Sequence, residues 1–233
     1  MDIELCIDSQ DSCLAARKFG IKRVELCSAL EVGGLTPSYG LIQRCSSIKE
    51  VEIHCMIRPR PGDFVYTVAE KQLMLMDIMA AGSAGAKGVV FGLLTHQNEV
   101  DVPAMQEMCD FARQMNLEVT YHRAFDLIPN KEKALNDLIN IGCTRILTSG
   151  GERKAIDGLN TIKQMVNQAA GRIQIMAGSG VSSSNVSTLY QSGIDAIHFT
   201  ARKAELVQDN LGFGTKYIVD EQKIMGILSV PTK

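Results

Sequence analysis

The chain has 233 residues, 45% of them hydrophobic, and a net charge of −2 with both signs spread along its length. That is enough apolar material for one sizeable core, and no charged block singles out nucleic acid or an anionic membrane as a partner. Seven cysteines with no C-x-x-C pair argue against a zinc ribbon and a disulfide framework, and fit reduced thiols.

The start, Met1-Asp2-Ile3-Glu4, carries neither a basic region nor a long apolar run, so a cytoplasmic protein without a leader or membrane span is expected. The first strand candidate, Ile3-Glu4-Leu5-Cys6-Ile7-Asp8, alternates so that Glu4, Cys6 and Asp8 share one side and the apolar residues the other. In the second, from Arg23, Glu25 and Cys27 oppose Val24 and Leu26. In the third, from Val51, His54, Met56 and Arg58 oppose Ile53, Cys55 and Ile57. A helical run over 68–81 precedes a fourth strand near Gly88, and another over 102–115 precedes a fifth near Glu118, where Thr120 and His122 oppose Val119 and Tyr121. Helices over 131–141, 155–170 and 184–191 alternate with strands starting near Arg145, Arg172 and Ala196, and in the last of these His198 and Thr200 share a face.

Eight strand starts spaced 20 to 37 residues apart, alternating with helices, predict an α/β fold, a single-domain (β/α)8 TIM barrel over residues 1–202. A doubly wound open sheet would have near-continuous apolar strands, whereas these keep one polar face, as the inside and mouth of a barrel allow. Three of the four histidines and two of the seven cysteines fall on that face. The extension over 203–233 loses the alternation. Its Phe213, Tyr217, Ile218, Ile224, Met225, Ile227 and Leu228 predict packing on the barrel or across a dimer interface, and Gly212 and Gly214 offer a lid over the mouth as an alternative.

Several chemistries compete for the polar face. Cys6 and Cys27 lie near the ends of adjacent strands about 4.8 Å apart and suit Cu(I), with Met56 and His54 as further candidate ligands; as free cysteines they also suit plain core packing. Carboxylates and imidazoles would suit zinc or manganese instead. His122 can serve as an acid or base with Glu25 as its orienting partner or as the second acid–base group, and Arg58 can hold a carboxylate or phosphate, unless Arg58, Arg60 and Asp63 only lock their loop. Ser149 and Gly150 after the sixth strand, and Gly178, Ser179 and Gly180 after the seventh, match the place where many barrels bind phosphate. No lysine falls on the inward face, which argues against a Schiff-base aldolase. Cys55 reads as buried on the helix side, the methionines of 73–79 as core filler, and nothing in sequence pairs Cys13, Cys45, Cys109 or Cys143.

The runs Met56-Ile57-Arg58-Pro59-Arg60-Pro61-Gly62-Asp63-Phe64, Tyr121-His122-Arg123-Ala124-Phe125-Asp126 and Leu147-Thr148-Ser149-Gly150-Gly151, with Glu25-Leu26-Cys27-Ser28 and Gly33-Gly34-Leu35-Thr36-Pro37-Ser38, closely resemble the CutC family from the first strand to about Arg202. The resemblance implies a cytosolic, homodimeric TIM barrel with copper as its ligand and a part in copper homeostasis. The expected function is therefore Cu(I) binding by Cys6 and Cys27 at the barrel mouth. The alternative is a lyase or isomerase acting on a small phosphorylated or carboxylated metabolite through Glu25, Arg58 and His122.

Overall fold

The computed structural model describes residues 2–205 and 214–230. Eight parallel strands close into the expected barrel: β1 Asp2–Ile7, β2 Arg23–Leu26, β3 Glu52–Met56, β4 Gly88–Phe91, β5 Glu118–Tyr121, β6 Arg145–Thr148, β7 Gln174–Gly178 and β8 Ala196–Thr200, with β8 pairing back onto β1. The helices between them are α1 Gln10–Lys18, α2 Tyr39–Ser46, α3 Val68–Ser83, α4 Val102–Gln114, α5 Lys131–Ile141, α6 Leu159–Ala169 and α7 Val186–Tyr190. The architecture is a (β/α)8 TIM barrel.

The periodicity reading places most of these elements and misses two. Helices α1 and α2 bury small or few residues, Ser12, Cys13, Ala15 and Ala16 in one and Ile42 and Cys45 in the other, so neither shows a strong apolar stripe. Each begins instead with a serine cap, Ser9 accepting from the Ser12 N–H and Ser38 from the Leu41 N–H. Helix α6 starts later than predicted because the stretch after β6 is spent on a turn.

Outward-facing strand residues such as Val24, Leu26, Ile53, Val89 and Ile175 pack against the helices in the main core. The inward face is layered, with alternate strands contributing to alternate layers. Arg23, Gly88, Arg145 and Ala196 lie lowest, followed by Glu4, His54, Thr120 and Met176, then Glu25, Val90, Leu147 and His198, with Cys6, Met56 and Gly178 uppermost. A Cβ on Gly88 would come within 2.1 Å of His54 Nδ1, and one on Gly178 within 2.5 Å of Leu147 Cδ1. Both glycines make room for the larger side chains of neighbouring strands.

After β8 the chain adds a small antiparallel pair, β9 Arg202–Ala204 with β10 Tyr217–Val219, and a helix α8 Glu221–Leu228 capped by Asp220. Ile224 and Ile227 of α8 join the main core, and Lys18 of α1 pairs with Glu221 at 2.7 Å. Gly212 and Phe213, part of the tail reading above, lie outside the described residues. Among the described residues no helix is long and apolar enough to cross a membrane. On α3, Met74 and Ile78 are buried, but Leu73, Met76 and Met79 stand exposed, so the methionine-rich run is only partly core filler.

Candidate functional site

Barrel closure opposes Glu4 to His198 across β1 and β8, and Cys6 to Glu25 across β1 and β2. These four side chains therefore stack in the throat. Glu4 is fully buried, and three cations surround it: Arg23 Nε donates to Oε2 at 2.5 Å, His198 Nδ1 shares a hydrogen bond with Oε1 at 2.9 Å, and Arg145 Nη1 stands 3.8 Å away. A buried carboxylate persists only when so compensated. Burial alone would raise the Glu4 pKa, but the His198 hydrogen bond and the charges of Arg23, His198 and His54 outweigh it and hold the group well below the usual carboxylate range.

Above this layer, Cys6 Sγ and Cys27 Sγ lie 3.3 and 3.5 Å from one oxygen of Glu25, Oε2. The ligand atoms of Cys6, Glu25 and Cys27 all fall within 4.8 Å of one another. Both thiols pack with Met56 and Val90 in a cluster separate from the main core. The Cys27 hydrogen bond, with the hydrogen bond and charge of His198, brings Cys6 down to about 5 against the effect of burial. Cys27 moves the other way, raised by its hydrogen bond to Cys6 and by burial. Burial raises Glu25, reinforced by the Cys6 and Glu4 charges. Burial works against a charged His198, but Glu25, Cys6 and Glu4 raise its pKa well above the ordinary value.

The mouth above the throat is a cavity of about 540 Å³ walled by Leu30, Met56, Phe64, Leu147, Val181 and Phe199, with Arg58, His122, Ser179, Gly180 and Arg202 among its polar lining. Arg58 donates from Nη1 to the Val32 and Gly34 carbonyls at 2.9 and 3.1 Å, and from Nη2 to Gly62 at 2.8 Å. It thus ties the loop after β2 to the loop after β3. Arg60 pairs with Asp63 at 3.0 Å and with Glu70 at 2.5 Å, so part of the loop-locking expectation holds.

Several expected site residues are placed differently from the sequence reading. His54 does not join the thiols. It lies two layers below Cys6, against Gly88 and facing Arg23, Glu4 and Arg145, and burial lowers its pKa to about 3. His122 is oriented by the Ala124 N–H, which donates to Nδ1 at 3.2 Å, rather than by Glu25, which accepts from the two thiols instead; burial lowers the His122 pKa also to about 3.

Ser149 and Gly150 are not free to cradle an anion, because the protein's own Asp126 occupies that cradle. The Ser149 and Gly151 N–H groups and the Thr148 hydroxyl donate to its carboxylate, while the Gly150 N–H donates to Thr148. Gly178 is spent on clearance inside the barrel wall, which leaves Ser179 and Gly180 as the part of that loop lining the mouth. Outside the site, Cys109 Sγ and Cys143 Sγ lie 3.8 Å apart, a contact between α4 and the end of α5 that sequence spacing could not show.

Two buried arginines beneath the throat escaped the sequence reading although the signal was present. Arg23 and Arg145 occupy inward positions by strand parity, two residues before Glu25 and Leu147, and together neutralise the throat from below. Arg23 also reaches Thr120 at 3.0 Å and Glu118 at 2.7 Å, and Arg145 reaches Gln174 at 2.8 Å.

Comparison with known proteins places this geometry in a lineage. The CutC family profile matches residues 1–203. A protein named family protein CutC from Glaesserella parasuis serovar 5 (strain SH0165) is 45% identical over 239 residues, covering 98% of each chain. Another of that name from Bacteroides thetaiotaomicron is 45% identical over 203 residues, covering 86% of this chain and 81% of its own. Among solved structures, the proposed copper homeostasis protein CutC from Streptococcus agalactiae superposes with a TM-score of 0.80 at 35% identity, over 85% of this chain and 97% of that one. The chain therefore belongs to the CutC family.

Proposed function

We propose that the barrel mouth binds Cu(I) through the sulfurs of Cys6 and Cys27, in a cytoplasmic protein that takes part in copper homeostasis. The observation that carries this reading is the convergence of the two sulfurs and a Glu25 oxygen within 4.8 Å. At metal–thiolate bonds of about 2.3 Å, one ion can touch both sulfurs without backbone movement. The soft donor set fits Cu(I) better than a hard divalent ion, and the neighbouring Met56 adds a thioether to the same cluster. Glu4, Glu25 and His198 also converge within 4.8 Å, but Glu4 is already neutralised by two arginines and offers a hard cation little. The name of the Streptococcus agalactiae relative, which refers to copper homeostasis, supports the reading.

Anaerobic titration of Cu(I) against a competing chelator tests it. Wild type is expected to bind one ion tightly and a Cys6→Ser, Cys27→Ser double variant to lose that binding; equal binding by both proteins sinks the proposal. The protein acts as a homodimer in this reading, with the exposed Leu73, Met76 and Met79 of α3 as the apolar face available for it. Sedimentation of a Met76→Lys variant checks this, since an unchanged dimer would remove α3 from the interface.

A second reading is favoured by the size of the cavity, far larger than an ion needs, and by Arg58, which among the described residues pairs with carbonyls and no carboxylate. On that reading the mouth takes a small organic anion, as a lyase or isomerase would. Arg58 and His122 variants would then abolish ligand-dependent stabilisation, and the double serine variant would keep it.

A further inference from the structure

Cys6 and Cys27 share one carboxylate but differ in access. Cys6 is 7% exposed and lines the mouth, whereas Cys27 is 0% exposed. Between Cys27 and the mouth stands the loop after β2. Leu30, which lines the mouth, packs against the cluster of Cys6, Cys27, Met56 and Val90, and Gly34 passes so close that a Cβ there would stand 3.1 Å from Cys27 Sγ. Glycine at that position, with φ 86°, allows the approach.

The loop is built as a flap. Ser28 and Leu35 pin its neck, exchanging backbone N–H to carbonyl bonds at 2.9 and 2.8 Å, and the Ser28 hydroxyl donates to the Thr36 carbonyl at 2.9 Å. Residues 29–34 then bond back on themselves, the Val32 and Gly34 N–H groups donating to the Ala29 carbonyl and the Gly33 N–H to that of Leu30. Among the described residues, their hydrogen bonds to the rest of the protein all come from Arg58, whose Nη1 donates to the Val32 and Gly34 carbonyls at 2.9 and 3.1 Å. An outer ion pair between Glu31 and Arg202, 3.8 Å long with Glu31 62% exposed, adds little. Arg58 is itself held from behind by the Gly62 carbonyl at 2.8 Å and by Phe64, whose ring centre lies 5.0 Å from the guanidinium carbon. One buried side chain thus fastens the segment to a fixed wall, and a segment held by so few bonds opens at far lower free energy than the barrel beneath it.

We propose that residues 29–34 form a flap that Arg58 latches over Cys27, so that Cys6 meets an incoming ion or thiol reagent at the mouth and Cys27 is reached only when the flap lifts. An ion held by both sulfurs then leaves at a rate set by the latch. That consequence rests on the Cu(I) reading, whereas the flap itself does not.

The test is pulsed alkylation of the reduced, metal-free full chain with N-ethylmaleimide, the rate at each cysteine being read by peptide mass spectrometry on singly labelled molecules. Arg58→Met removes the latch and is expected to speed labelling of Cys27 about tenfold or more, the loss of two hydrogen bonds from a charged donor. Cys13, Cys45, Cys55, Cys109 and Cys143, also buried, should keep their wild-type rates, because a general loosening would raise all of them together. Leu30→Ala, which unseats the flap without touching Arg58, should speed Cys27 in the same selective way and decides the point should Arg58→Met not fold. After loading with Cu(I), transfer of the ion to a competing chelator should be about tenfold faster from Arg58→Met than from the wild type. Unchanged labelling of Cys27 in both variants, or a rise shared by all the buried cysteines, would overturn the flap, and equal transfer rates would overturn its control of the ion. A wild type that takes up no Cu(I) while Cys27 alone responds to the substitutions would overturn the copper reading and leave the flap.

Discussion

The Asp126 carboxylate accepts the Ser149 backbone N–H through both of its oxygens, at 2.9 and 3.1 Å, and the Ser149 hydroxyl at 2.8 Å. With Thr148 Oγ1 at 2.6 Å, the Gly151 N–H at 3.1 Å and Arg123 Nε at 2.8 Å, it closes the loop after β6 around an internal anion. The backbone thus forms an anion cradle of the kind other barrels offer to phosphate, with its occupant supplied by the chain itself.

Removing that occupant should cost stability and open the cradle. Asp126→Ala leaves several N–H and O–H donors unmatched and is expected to lose about 3 kcal/mol or more in urea unfolding. Added sulfate or phosphate should restore part of the loss in the variant and do nothing comparable for the wild type. A variant within about 1 kcal/mol of wild type would show that the loop holds without the carboxylate.

The Glu4–His198 pair makes a prediction with a defined pH window. Glu4→Gln removes the one fully buried counter-charge of Arg23 and Arg145 and leaves them only the exposed carboxylates of Glu118 and Asp2, and a loss of about 3 kcal/mol is expected. Glu4 has a lowered folded pKa, so its contribution is present above the ordinary value of 4.5 and lost as pH falls through the folded value. His198 has a raised one, so its contribution is complete below 6.5 and lost as pH rises through the folded value. The gap in stability between wild type and variant should therefore be widest between 4.5 and 6.5. NMR titration should show the His198 pKa falling in Glu4→Gln, and an unmoved His198 would mean that the pair is not coupled.

Gly88 and His54 are predicted to be energetically coupled. With 2.1 Å between an added Cβ and His54 Nδ1, Gly88→Ala is expected to cost about 3 kcal/mol in the wild type and about 1 kcal/mol or less in a His54→Ala background. Additive losses would mean that the clash lies elsewhere. His54 also makes the protein acid-sensitive. Its folded pKa is lowered to about 3 by burial, so between 6.5 and 3 the unfolded chain takes up a proton that the folded one refuses, and stability falls as pH drops. The slope is about 1.4 kcal/mol per pH unit. His54→Ala should lower the overall slope by that amount and keep the like contribution of His122, which denaturation at pH 6, 5 and 4 will show.

The sequence by itself determined the barrel. Period-two alternation over six residues in β1 and the helical spacing of 102–115 are properties of local chain geometry, and eight repeats of strand and helix leave few ways to bury the apolar face. Parity also placed Glu4, Cys6, Glu25, His54, His122 and His198 inside, and the same rule would have found Arg23 and Arg145. Which of these side chains meet was decided only by the closed structure. Glu4 and His198 are 194 residues apart and become partners because β8 pairs back onto β1 in one register. Asp126 takes the backbone groups of Ser149 and Gly151, and Glu25 meets the thiols rather than His122. Period and propensity act over a few residues, whereas barrel register and the competition of buried groups for partners are settled by the whole chain at once.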